Sequence, residues 1–494
     1  MSTLTVVRTA PSWIGSISLR RLAVVSTLTT AGLLGLHARN FDDTARFAGD
    51  TWEYQSLAVN LVKGRGYPRF GELVPFPEYA FNADARLAPH YPRFVEAGQH
   101  GGEWNFYRTP GYPMFLAGIY ALTGVHPLAA KLAQSLLLFL VAGSLIWVGR
   151  ELWGEVGARS GALAGPVYAG IYGYQAGAIL TEPLIAFSLV LIAAAFLNWR
   201  RRPGLPSAAL LGGTFALSLT VKASNAFIPP FICLLMLGRG SPSGLLRRAV
   251  QPLASAAAMA VCLAPYALFA SVRAERPVVL STQGPTSLLD NNNEFSLEKR
   301  AWGPEWRDDP RAFYNRADIA SLSPLAKVAA FYSSRPRGLL RAAGYKLEAG
   351  FRHAVFLKWV LSVLGADALV FLLLGLEVVR NRISSGLAIG TLLVGTSAVV
   401  LALSAFQMIG VVPLAGAAAA LVWARGGGQL FELLRGLHAV LLGNFTLIFI
   451  VFDGTPRFFS VAQPFFALLA FRFAYETVFD PRVWAERAAA PRGG

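Results

Sequence analysis

Charge is what this sequence has least of. Charged residues fill 15% of its 494 positions, against about 25% in an ordinary soluble domain, while hydrophobic residues reach 54%. That balance excludes a soluble globular protein, whose apolar runs would be shorter and separated by amphipathic faces. Cysteine is nearly absent. Cys233 and Cys262 both fall inside long apolar runs, so no disulfide framework is implied. The six histidines show no HExxH or other metal spacing, and no GxxxxGK[ST] loop stands ready to cradle a nucleotide. Soluble-nucleotide chemistry is therefore disfavoured, and any energy source must arrive with the substrate. There is no internal repeat, low-complexity tract or separate soluble domain, and the tail beyond 477 is short and rich in Ala and Arg. No small-residue cleavage site follows the first apolar run, which reads as a retained helix behind Arg20 and Arg21.

What is present is a series of apolar runs near the length needed to cross a hydrocarbon core. They predict twelve spans, at about 22–38, 127–149, 161–179, 183–199, 206–221, 224–238, 249–271, 354–379, 384–405, 407–424, 430–452 and 460–477. With the N-terminus inside, the short inner connections hold Arg150 and Arg159, then Arg200, Arg201 and Arg202, then Arg239, Arg247 and Arg248. Later ones hold Arg380 and Arg382, then Arg425, and Arg482 follows the last span. The short outer connections are almost uncharged, which is the positive-inside pattern. It also explains the formal net charge of +16 without nucleic acid as a partner. The expected fold is all-α: one polytopic membrane unit over 1–494, with about twelve transmembrane helices and two large outer loops, 39–126 and 272–353. Loops of this length are usually functional.

"GDTWEYQSLAVNLVKGRGYP", 49–68, is the most informative stretch of the first loop. On a helix, Asp50, Glu53, Tyr54 and Leu57 share a face, and Gly64 and Gly66 end the helix in a turn. An acid held there serves as a general base or electrostatic partner, or it caps the helix with Glu53 completing a capping box. "RTPGYPMF", 108–115, returns the loop toward the bilayer. Pro110 suits a helix start and Gly111 a tight approach, while the following "MFLAGIYALTGV" is too short to span and fits an interfacial helix. Arg108 would sit at the rim of any cavity between helices.

Asp42 and Asp43 point in different directions and read as solvated loop acids. Glu182 in "ILTEPLIAF" stands at the outer end of a span. An ionisable group at membrane depth is functional by default, but in the headgroup region it costs little. Lys222 in "LTVKASNAF" and Arg457 in "DGTPRFFSVAQP" also stand at outer ends, where each grips a phosphate or snorkels to the surface. With Arg108 they make three basic groups on one face, which favours a shared anion. "STQGPTSLLDNNNE", 281–294, is rich in amides, Asn291 among them, and suits either a sugar site or a surface turn. Asp290 and Glu294 lack the ligand ladder of a calcium loop.

In order along the chain, GD-x-x-x-Y-x-x-L-A-x-N-L-x-x-G-x-G-Y, R-T-P-G-Y-P-x-F-L-A and T-E-P-L resemble the C-type polytopic glycosyltransferase superfamily (GT-C). The branch most resembled holds bacterial relatives of protein O-mannosyltransferases and of lipid A aminoarabinose and galacturonic acid transferases. "LTVKASNAFIPP" is similar to a family segment where arginine is usual, so Lys222 keeps the charge and changes the group. "TQGPTSLLDNNN" and "RFFSVAQPFFALLA" resemble its outer-loop stretch and last span.

The resemblance implies transfer of a sugar from a polyprenyl-phosphate donor to an envelope glycan, lipid or protein, on the outer face of a bacterial cytoplasmic membrane. Asp50 would be the base and Glu182 a second catalytic group that positions sugar or acceptor. Arg108, Lys222 and Arg457 would meet the leaving phosphate. Tyr54, Glu53, Tyr112 and Asn291 count with them as substrate contacts. No metal site is expected, although the outer acids could hold a divalent cation beside the phosphate. The partners are then donor, acceptor and membrane lipids. The alternative from another class is a transporter or flippase for a lipid-linked or sugar substrate, whose usual internal symmetry is not seen here.

Overall fold

The computed structural model describes residues 18–43, 50–67, 104, 106–238, 245–293 and 312–342, together with residues 464, 465 and 468. Among the described residues there is no strand, and an isolated bridge joins Tyr67 to Trp104. The helices are α1 (Leu19–Ala38), α2 (Thr51–Val62), α3 (Gly111–Thr123), α4 (Pro127–Tyr172), α5 (Glu182–Arg201), α6 (Leu205–Val221), α7 (Ile228–Gly238), α8 (Leu245–Ala274), α9 (Gln283–Asp290) and α10 (Pro324–Ser333). Short 3₁₀ turns cover Gly173–Ala178, Ala223–Phe227 and Ala312–Asn315. Among the described residues, four helical stretches are long and apolar enough to cross a membrane: Leu19–Ala38, Pro127–Gly170, Glu182–Arg201 and Ala249–Ala274. Leu205–Val221 and Ala223–Leu237 are shorter apolar helices.

The longest of these is two passes rather than one. At 46 residues a straight α4 would be about 69 Å long, far beyond a hydrocarbon core of about 30 Å. Trp153 and Gly154 leave helical geometry, Gly154 with φ 64°, a backbone that glycine adopts readily and side chains do not. Beyond that turn the chain comes back along itself. A Cβ on Gly161 would lie 2.1 Å from the Leu145 carbonyl oxygen, and one on Gly165 would lie 2.9 Å from that of Ala142. In a straight helix Ala142 and Gly165 would be about 35 Å apart. Gly157, Gly161 and Gly165, four residues apart, let the two backbones touch, which is how helices without a hydrophobic drive between them associate in a membrane. The expected spans 127–149 and 161–179 are therefore the two arms of this hairpin. The second arm ends at Tyr172 rather than 179, because Gly173 packs on the His37 ring and Gly177 on Phe41, where side chains would collide. The chain tightens into a 3₁₀ turn there.

Expected spans 22–38, 183–199, 206–221, 224–238 and 249–271 correspond to α1, α5, α6, α7 and α8, with 224–238 opening on a 3₁₀ turn. The spans from 354 onward lie outside the described residues, apart from helical residues 464, 465 and 468. Polar side chains set helix register. Ser188 Oγ donates to Ser218 Oγ at 3.1 Å, and Trp199 Nε1 donates to Gln251 Oε1 at 2.6 Å. Such bonds contribute only about 0.6 kcal/mol each inside a membrane, so they specify more than they stabilise. The outward face of α8 is apolar, with Val261, Leu268 and Val272 exposed, as suits a helix against lipid.

Chain direction sorts the helix ends onto two rims. The C-terminal ends of α1, α6 and α8, the N-termini of α4 and α5, and helices α2, α3 and α9 gather on one. Thr51 Oγ1 donates to the Ala178 carbonyl, Thr109 Oγ1 to that of Val221, and the Thr282 N–H to that of Phe106. The α4 turn and the α5–α6 connection lie on the other, where Arg201 pairs with Glu151 and Arg159 with Glu155. The second long loop has a small core of its own, built by Phe313, Tyr314, Ile319, Val328, Phe331 and Tyr332.

Candidate active site

The first rim carries a convergence of charge. Asp50 occupies the N-cap position of α2, yet its side chain makes no cap hydrogen bond. It accepts instead from an Nη of Arg108 at 2.7 Å, and Glu53, one turn on, accepts from Nε of the same guanidinium. The capping box is thus not formed. An N-cap bond contributes about 1 kcal/mol, whereas hydrogen bonds to charged groups contribute roughly 1.5–3, so the arginine wins both acids. The other Nη donates to Gln283 Oε1 at 3.1 Å, which brings the second outer loop to the same cation. Tyr54, on the face shared with Asp50 and Glu53, lies under the guanidinium with its ring centroid 5.2 Å away, and Tyr107 flanks it at 5.3 Å.

Arg108 is delivered by a stiff segment. Phe106 holds a left-handed φ of 55°, costly for a bulky residue and kept here by surrounding rings. Tyr67 and Trp104 stack on Phe106, while Tyr266 and Phe269 meet it edge-on. The Tyr67 hydroxyl donates to the carbonyls of Arg108 and Thr109 at 3.1 and 2.9 Å. Burial pushes that phenol well above its ordinary range, with the neighbouring Tyr266 and Tyr54 adding to it, so it stays a neutral donor. Pro110 caps α3, and a Cβ on Gly111 would lie 2.7 Å from the Thr220 carbonyl carbon. The RTPG sequence thus ties the arginine to the end of α6 with no room for a larger residue.

Burial differs across the cluster. The side chains of Arg108 and Glu53 are 8% and 6% exposed, that of Asp50 20%, so Asp50 is the acid nearest the opening. Burial works against the Arg108 charge, but Tyr54, Asp50 and Glu53 hold its pKa above the usual arginine range. Its positive charge is fixed.

The other expected residues are distributed around this centre. Lys222 follows the Val221 carbonyl that anchors Thr109. Glu182 is buried as the first residue of α5, close enough to Tyr112 and Tyr174 for its charge to bear on their hydroxyls. Tyr112 is fully buried rather than open to a substrate. It meets Tyr54 edge-on at 5.0 Å and donates to Gln134 Oε1 at 2.6 Å. Asn291 ends α9 with its amide on the Ser287 carbonyl, and Asn292 accepts from Tyr314 and Tyr332. From this amide-rich stretch it is Gln283 that reaches the charged cluster. Arg457 lies outside the described residues. Among the described residues, no group of three or more His, Cys, Asp or Glu side chains is placed to hold a metal ion.

Asp42 and Asp43 differ from expectation, because neither is merely solvated. Lys131, 1% exposed, donates to the Asp42 carboxylate at 2.6 Å. Asp43 accepts from the Leu128 N–H at the start of α4 and contacts His126 at 2.9 Å. What burial Asp43 has would raise its pKa, but these hydrogen bonds and the nearby charge lower it on balance. Lys131 and Gln134 sit inside an apolar run, where only their polarity could have marked them as needing partners.

No protein-family model matches the chain, and no curated protein does. Among solved structures, the crystal structure of ArnT from Cupriavidus metallidurans bound to undecaprenyl phosphate is similar at 13% identity, covering 95% of this chain and 79% of that one, with a TM-score of 0.36. Likeness of that degree decides nothing about the chemistry of this chain.

Proposed function

We propose that this chain is a multi-pass membrane glycosyltransferase that moves a sugar from a polyprenyl-phosphate donor to an envelope acceptor, with inversion. The observation that carries the reading is the convergence of Asp50, Glu53 and Arg108 at one rim of a membrane bundle. In this reading the partly open acid and the fixed cation stand at headgroup level, where a lipid's phosphate would lie. The ordered sequence motifs point the same way.

In this reading Asp50 accepts the acceptor's hydroxyl proton while that oxygen bonds to the anomeric carbon. The bond from that carbon to the phosphate oxygen breaks, and its electron pair leaves with the polyprenyl phosphate. Arg108 meets the charge as it grows there, an electrostatic role, and Lys222 and Arg457 join it. Glu182 positions sugar or acceptor. The side chains suffice for this chemistry, with a divalent cation beside the phosphate as an optional addition. The rim faces the exterior of a bacterial cytoplasmic membrane, and the rim bearing Arg159 and Arg201 faces inward.

The test is complementation of a strain lacking this protein with wild type or Asp50→Asn, both expressed in membranes, followed by mass analysis of envelope glycans, lipids and protein glycans. A lost general base lowers rate by about 10²–10⁴, so the variant should leave a glycan one sugar short. Full restoration by Asp50→Asn would sink the assignment.

A further inference from the structure

The cation proposed to meet the leaving phosphate is already engaged by protein groups. All three guanidinium nitrogens of Arg108 have partners: Nε on Glu53, one Nη on Asp50, the other on Gln283. With Glu53 on Nε, the Nη that Asp50 holds is the donor a phosphate oxygen would take. The same bond restrains Asp50, taking up its Oδ1 and fixing how the carboxylate points.

Resting on the transferase reading, we propose that Arg108 is a latch: a phosphate monoester displaces Asp50 from the guanidinium, so the base is released only when the donor's headgroup is in place. Three observations say which acid yields. Asp50 is more exposed than Glu53, 20% against 6%. It holds a single Nη, whereas Glu53 holds Nε next to the arginine's own stem. Asp50 also precedes the first residue of α2 and makes no cap hydrogen bond that would hold it in the paired position. Gln283 and the two tyrosine faces keep the guanidinium in place meanwhile. The consequence is order: an acceptor alone meets an Asp50 held toward Arg108, and the donor's phosphate frees that carboxylate to turn to the acceptor's hydroxyl.

The latch makes a prediction opposite in sign to ordinary loss of a site residue. Removing the competitor should strengthen phosphate binding while abolishing transfer. The experiment uses the full chain in nanodiscs and titrates citronellyl phosphate, citronellol and inorganic phosphate against wild type, Asp50→Asn and Asp50→Ser, with size exclusion to verify folding. Both variants should bind citronellyl phosphate about tenfold tighter than wild type, equivalent to about 1.4 kcal/mol, and citronellol should not distinguish the three proteins. Affinity equal to or weaker than wild type in both variants overturns the latch. Tighter binding of citronellyl phosphate than of inorganic phosphate assigns a lipid headgroup, and equal binding a free phosphate. The titration needs neither sugar nor acceptor. Tightening without any transfer by wild type therefore sinks the transferase reading alone, and transfer without tightening sinks the latch alone.

Discussion

The cluster around Arg108 and the pairs of the opposite rim are ion pairs of different kinds. At the site rim, Arg108 binds acids 58 and 55 positions away in sequence, on another element, and the cluster is mostly buried. At the opposite rim, Glu155 and Arg159 are one turn apart on the same helix arm, and Glu155 is 65% exposed. Glu151 and Arg201 do join α4 to α5, but Arg201 is open to solvent. A local, wet pair follows from helix geometry and contributes a few tenths of a kcal/mol. A distant, dry pair requires several elements to be built around it, and breaking one partner leaves a buried charge, which costs several kcal/mol. Charge on the far rim therefore reports topology, and charge on the site rim reports chemistry.

The sharpest way to break that contrast is one conservative substitution made on both rims. Arg108→Lys keeps the charge but loses the fork that reaches Glu53, Asp50 and Gln283 together. Removing one preorganised donor typically lowers kcat by about 10²–10³, and that loss is expected in a membrane transfer assay. Arg159→Lys should leave transfer within about twofold, since its partner is a same-helix glutamate open to water, a kind of pair that contributes little. Equal effects from the two would mean the rims do not differ in function.

A smaller effect tests how Arg108 is delivered. Gly111→Ala puts a methyl group 2.7 Å from the Thr220 backbone, which cannot swing aside as a side chain can. Overpacking of this kind costs about 1–3 kcal/mol, visible as a lower thermal midpoint in detergent, and it should reduce transfer because Arg108 moves with the segment. Gly118, on the same helix with open space around it, is the control, and Gly118→Ala should be nearly silent.

How much of this was legible in the sequence follows the same division. Apolar length marked α1, the two arms of α4, α5, α6 and α8, because a membrane helix is a local property of about twenty residues. The shared face of Asp50, Glu53 and Tyr54 was legible from helical spacing. That Arg108 would close on both acids was not, since nothing local links position 108 to position 50. Tyr67 and Gln283 were hidden for the same reason: one supports the arginine through its backbone and the other arrives from the second loop. Asp42 was read as solvated because its partner, Lys131, sits inside an apolar run. A lysine there has to be paired, and that requirement was the available signal. Arg457 and the spans from 354 onward, apart from residues 464, 465 and 468, lie outside the described residues.

The smallest expected effect sets the floor of the contrast. Glu155→Gln removes the acid of the far-rim pair and leaves Arg159 without that carboxylate. Arg159 is 8% exposed in its side chain, so an effect above the exposed-pair range of about 0.3–0.5 kcal/mol would show that burial of one partner is enough to make a local pair structural. An effect within that range, read as a thermal midpoint shift of a degree or so, would show that the open partner decides. Asp50 and Glu53 differ from Glu155 in what their cation brings: Arg108 is distant in sequence and buried, with two tyrosine rings against it.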